Sequence, residues 1–206
     1  PHRSNRQTPH QHLCRNHPRP GEPDYPLWMG LPQGGVMNGP DLRQRLDECL
    51  GLGHPAAQRT PEQARRLRTL TAVLRIPEGS VQNHMYWATW HFQDIARRYH
   101  WQPVFGNQGA AYTGSDDDAA LNRAVARYAA DPQAVAAFAA DTDPQGRIPV
   151  PVLSAHAIHD ATAFVEMQHR FAQTMREAGR ASLLVQAFTS DRDHSDWSDA
   201  SYVALA

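Results

Sequence analysis

The chain has 206 residues, 41% of them hydrophobic, which suffices for a real core in one domain or in one domain with a sizeable insertion. Its 20 cationic side chains, every one an arginine, oppose 21 carboxylates for a formal net charge of -1, so no overall field draws it to nucleic acid or to an anionic membrane. No apolar run approaches the roughly 18 residues that a membrane span needs.

Residues 1–37 are dense in Pro, Gly, His and Arg and hold neither a helical nor a strand period; they are expected to be loop or linker, anchored by Tyr25, Leu27 and Trp28. The first residue is Pro1 rather than Met, and no signal peptide is present, so an upstream stretch is expected to have been removed, processed or left out. Cys14 and Cys49 fit one disulfide of an exported protein about as well as two buried thiols.

Residues 38–147 read as a helical domain. In PDLRQRLDECLG, Pro40 opens a helix and Gly51 closes it. In TPEQARRLRTLTAVLR, Thr60 is an N-cap, Pro61 takes the first position and Gln63 completes a capping box. A third helix is expected over residues 80–99, with Met85, Trp87, Ala88, Phe92 and Ile95 at helical spacing. GSDDDAALNRAVARYAA offers Ser115 as an N-cap with Asp116, Asp117 and Asp118 in the first turn, and DPQAVAAFAAD repeats the device with Asp131 and Pro132.

Residues 148–206 change grammar to strand, helix, strand, helix: IPVPVLSAH, FVEMQHRFAQTMREAGR, SLLVQAF and SDASYVALA. Two strands joined by a crossover helix are a βαβ unit with parallel strands. Parallel strands need cover on both faces and occur in sheets of several strands. The fold class is therefore α/β, with this chain as the C-terminal part of a larger sheet whose remaining strands lie on a separate upstream segment.

In open α/β sheets the chemistry sits beyond the carboxyl ends of the strands. The first strand here is followed by HAIHD, bringing His156, His159 and Asp160, and the second by TSDRDHSD, bringing Asp191, Asp193 and His194. An acid and a histidine at neighbouring strand ends are the orienting carboxylate and general base of a nucleophilic triad. Asp160 before His194 follows the chain order of α/β-hydrolases.

The stretch RIPVPVLSAHAIHDATAFVEMQHRFAQTMREAGRASLLVQAFTSDRDHS resembles the end of an α/β-hydrolase. EPDYPLWMGLP, DECLG, RTPEQ and VFGNQGAAYTGSDDDAALNRAV resemble the helical cap of exported bacterial carboxylesterases of that superfamily, including environmental enzymes that attack polyesters. The resemblance covers most of residues 22–206. It implies Asp160 as triad acid, His194 as triad base, a small-molecule or polymeric ester as substrate, no cofactor, and a secreted or periplasmic location that favours the disulfide. One position departs from the pattern: Asp193 stands where such enzymes often have Gly before the His.

The sequence lacks G-x-S-x-G. Ser80 and Ser115 each follow a glycine but open helices and read as N-caps, Ser154 lies inside a strand, and Ser195 adjoins the base. The nucleophilic serine and its oxyanion-hole amides are thus expected on the upstream segment of the same precursor, and the fragment alone is expected to be inactive. Competing readings are weaker. His156, His159 and Asp160 lack further metal ligands of known placement, Asp116, Asp117 and Asp118 lack the alternation of a calcium loop, and the histidine-rich residues 9–12 suit a solvated loop. The alternative function is a non-catalytic helical binding protein that holds a partner or apolar ligand with Tyr86, Trp87, Trp90 and Phe92.

Overall fold

The structure is a computed structural model that describes residues 14, 25–192, 194 and 197–205. Asp193, Ser195, residues 9–12 and the side chain of Leu27 lie outside the described residues. The chain forms two compact units, Pro1–Asp141 and Thr142–Ala206.

The first unit is helical. Helix α1 (Gly39–Leu50) begins where Asn38 accepts the Asp41 amide at 2.8 Å and ends at Gly51, whose φ of 65° is the left-handed turn that glycine takes without a Cβ clash. Helix α2 (Pro61–Leu74) carries the expected capping box: Gln63 N–H donates to Thr60 Oγ1, and Thr60 N–H donates to Gln63 Oε1. The same Gln63 amide donates to the carbonyls of Asp47 and Glu48, tying the start of α2 to the end of α1. Leu42, Leu46 and Leu50 of α1 and Leu67, Leu70 and Leu74 of α2 are buried at helical spacing.

The third helical run is interrupted. Helix α3 (Val81–Tyr86) passes through a π-helical turn at Trp87–His91 into α4 (Phe92–Arg98). Met85 and Ala88 are buried, whereas Trp87 is 39% exposed; two residues beyond Met85 at ~100° each, it lies across the helix from the buried stripe. Residues 25–37 contain only a 3₁₀ turn, Leu27–Met29, but they are bound along this run. Trp90 Nε1–H donates to the Met37 carbonyl at 3.2 Å and Gln93 Nε2–H to that of Gly35 at 2.8 Å. Gly30 approaches so closely that a Cβ there would lie 2.1 Å from the Thr89 carbonyl oxygen.

Helix α5 (Asp118–Ala124) starts later than expected. Its cap is Asp117, which accepts the Ala120 amide at 2.8 Å, while Ser115 donates its amide and hydroxyl to Asp118. A carboxylate two residues closer to the helix outcompetes the serine hydroxyl as the amide acceptor. Ser80 likewise caps nothing with its side chain; its hydroxyl donates to the Pro77 carbonyl. Helix α6 (Pro132–Thr142) begins as expected, with Asp131 accepting the Ala134 amide. Cys14 and Cys49 form a disulfide across a Cα–Cα distance of 5.3 Å.

The second unit is mixed α/β. Strand β1 (Val152–Ala157), helix α7 (Glu166–Glu177), strand β2 (Leu184–Thr189) and helix α8 (Asp199–Leu205) follow in order. The strands pair in parallel, from Val152 with Leu184 to Ala157 with Thr189. Among the described residues they form a two-stranded sheet. Gly146, at φ 67°, lies against α7, where a Cβ would come within 2.4 Å of the Thr174 carbonyl oxygen. Ser154, His156 and Gln186 share the face toward α7. The opposite face leaves Leu153 and Val185 55% and 63% exposed. Among the described residues no helix is long and apolar enough to cross a membrane.

Candidate active site

Parallel pairing brings the carboxyl ends of β1 and β2 to the same edge of the sheet, so the loops leaving them are neighbours despite their separation in sequence. The Ile158 amide donates to the Thr189 carbonyl at 2.9 Å, extending the ladder one step beyond the strands. The chain then turns, with the Asp160 amide donating to the Ala157 carbonyl at 3.1 Å.

Asp160 folds its side chain back over its own turn. Its Oδ1 accepts the amides of Thr162 at 2.7 Å and Ala163 at 2.9 Å, an Asx-type arrangement that fixes the carboxylate plane. Its Oδ2 accepts from Nδ1 of His194 at 2.7 Å. Burial by itself would push the Asp160 carboxyl up. The hydrogen bond from His194, the two amides and the attraction of the imidazole outweigh burial and hold the carboxyl below the usual carboxylate range.

His194 is the outer partner: its side chain is 44% exposed against 6% for Asp160. With Nδ1 donating to the carboxylate, the neutral ring carries its basic lone pair on Nε2. A carboxylate on the far nitrogen fixes the tautomer and stabilises the imidazolium formed when Nε2 takes a proton. A carboxylate and an imidazole 34 residues apart in sequence are thereby joined by one hydrogen bond.

The other candidates have different places. Asp191 serves the loop rather than the base: Oδ2 accepts from the Ser201 hydroxyl at 2.5 Å and Oδ1 from the Ser198 amide at 3.2 Å, fastening the loop after β2 to the start of α8. These bonds, the Ser201 hydroxyl foremost, hold its carboxyl below the ordinary range. His159 is exposed, and His156 is buried and engaged on both ring nitrogens. Among the described residues no three His, Cys, Asp or Glu side chains converge to hold a metal. Ser154 donates to Gln168 Oε1 at 2.6 Å, inside the unit.

The aromatic residues of the third helical run mostly pack within their own unit. Tyr86 meets Trp90 edge to face at 5.0 Å and Phe92 meets Phe105 at 5.2 Å. Trp87, stacked at 6.5 Å on exposed His91, is the outward-facing member.

Sequence reasoning missed the polar group beneath the site, formed by Ser154, His156, Gln168 and Gln186. The signal was the occurrence of Ser, His and Gln on one strand face where a core residue is the norm. No protein-family model, curated protein or solved structure matches the chain.

Proposed function

We propose that this chain supplies the acid and the base of a serine-dependent carboxylic ester hydrolase, polyesters being among its candidate substrates. The observation that carries the proposal is the 2.7 Å bond between an amide-held, buried Asp160 and a half-exposed His194 on adjacent parallel strand ends. The serine comes from a G-x-S-x-G segment of the same precursor outside this chain. On this proposal β1 and β2 belong to a larger α/β-hydrolase sheet, which gives the exposed side chains of Leu153 and Val185 a covering layer. The helical first unit corresponds to the cap of such enzymes. The Cys14–Cys49 disulfide favours an oxidising, secreted or periplasmic compartment.

In the proposed reaction His194 Nε2 takes the hydroxyl proton of the serine as its Oγ attacks the ester carbonyl. The imidazolium, held by Asp160, gives that proton to the departing alkoxide, leaving an acyl-enzyme and free alcohol. Nε2 then deprotonates a water that attacks the acyl carbon, and the proton returns to the serine oxygen as the acid leaves.

The test uses the complete precursor. Turnover of a p-nitrophenyl ester and labelling of a serine by a fluorophosphonate are expected, and His194→Ala should lower kcat by about 10³-fold or more. Turnover by His194→Ala near that of the parent enzyme would sink the proposal. The 206-residue chain by itself is expected to give neither turnover nor label.

A further inference from the structure

We infer that His156 is a positioning residue for the Asp160–His194 pair, acting through a directional hydrogen-bond relay that runs from the sheet and α7 to the acid. As a catalytic device the relay rests on the hydrolase proposal; its geometry does not.

The direction of each bond is fixed by chemistry. The Ala163 carbonyl can only accept, so His156 Nε2, 2.9 Å away, must be its donor. Nδ1 is then the acceptor of the same ring, and it faces Nε2 of Gln168 at 3.2 Å. That assigns the Gln168 amide: its nitrogen points to His156 and its Oε1 to Ser154 Oγ at 2.6 Å and Gln186 Nε2 at 2.9 Å, both donors. Reversing the amide would set an oxygen against the Nδ1 lone pair and a nitrogen against the Gln186 nitrogen. Gln186 Nε2 also donates to the Gln168 main-chain carbonyl at 2.9 Å. Side chains from β1, α7 and β2 therefore select one tautomer of one buried histidine.

That tautomer bears on the acid through a single residue. Ala163, whose carbonyl His156 holds, is also the residue whose amide donates to Asp160 Oδ1 at 2.9 Å. Pinning both sides of Ala163 fixes the Asp160 turn against the sheet and aims Oδ2 at His194. A general base needs its orienting group held to a fraction of an ångström. The two neighbouring strands supply that rigidity from below the site.

The test reads the Asp160–His194 hydrogen bond itself, in the 206-residue chain selectively labelled with ¹⁵N-histidine. The His194 Nδ1–H proton, held by a carboxylate, should give a downfield NMR resonance. His156→Leu, which removes the donor to Ala163, should abolish that resonance. His156→Gln, which returns an amide N–H close to the Nε2 position, should restore it. Persistence in His156→Leu overturns the inference, as does loss in both variants, because a role in packing alone does not depend on the donor.

Gln168→Leu supplies an independent reading that leaves His156 in place. Without Gln168 the Nδ1 lone pair loses its donor while the Ala163 carbonyl still holds Nε2–H, so the ¹⁵N resonance of His156 Nδ1 should shift and that of Nε2 should not; an unchanged Nδ1 resonance would also overturn the relay. Should these spectra behave as expected while the complete precursor shows no turnover and no fluorophosphonate label, the hydrolase proposal fails and the relay stands.

Discussion

Asp160 shows how a buried carboxylate is kept ionised: burial opposes the charge, and one imidazole N–H and two amide N–H groups more than compensate. Because its folded pKa is depressed, its contribution to stability is fully present above the ordinary carboxylate range and is lost as pH falls through the lower folded value. Asp160→Asn should cost the second unit about 2 kcal/mol at pH 7, with the difference from the parent vanishing in strong acid. Urea titrations followed at second-unit amides by NMR, at both pH values, would check this; a pH-independent difference would contradict the assignment. Asp160 and His194 were legible because each follows a strand-like apolar run. The Ser154–Gln168–Gln186–His156 group was not, since bonds between side chains 12 to 18 residues apart leave no periodic trace. The sequence pointed to Ser115 as the cap with Asp117 in the first turn, whereas the chain's path through Gly114 and Ser115 makes the Asp117 carboxylate the oxygen that meets the helix amides.

At the level of elements, the caps at Thr60 and Asp131 and the closing Gly51 were legible because they act within four residues of themselves, whereas Ser80 and Ser115 proved not to cap with their side chains. Thr60→Ala should remove an acceptor from the first turn of α2 and cost about 1 kcal/mol in thermal unfolding of the first unit. The π-helical turn at Trp87–His91 was not legible: residues 80–99 read as one uninterrupted helix, and the strap that lies on that turn comes from far earlier in the chain. Gly30 joins the two. At φ 72° it occupies a conformation costly for any other residue, and a Cβ would strike the Thr89 carbonyl. Gly30→Ala is therefore expected to cost more than the cap substitution, about 3 kcal/mol. An effect on melting no larger than that of Thr60→Ala would mean that the strap gives way freely.

Across the whole molecule, the Cys14–Cys49 disulfide closes a separation of 35 residues, which in chain-entropy terms is worth about 4 kcal/mol to the first unit. Reduction should lower the melting transition of that unit while leaving hydrogen exchange of β1 and β2 amides in the second unit unchanged; equal loss of protection in both would show that they unfold together. By itself the sequence determined the mixed α/β grammar, the order of helices and strands, most helix ends and the two loops that carry an acid and a base. Those features depend on side-chain period and on contacts a few residues long. Only the tertiary structure decided that Asp160 meets His194, that Asp191 bonds the start of α8, that His156 bonds the Ala163 carbonyl, and that residues 25–37 lie on a π-helical turn. Each of those outcomes depends on which distant groups face one another once the strands pair and the helices pack, and hydrogen-bond partners at that range are set by geometry in space rather than by spacing along the chain.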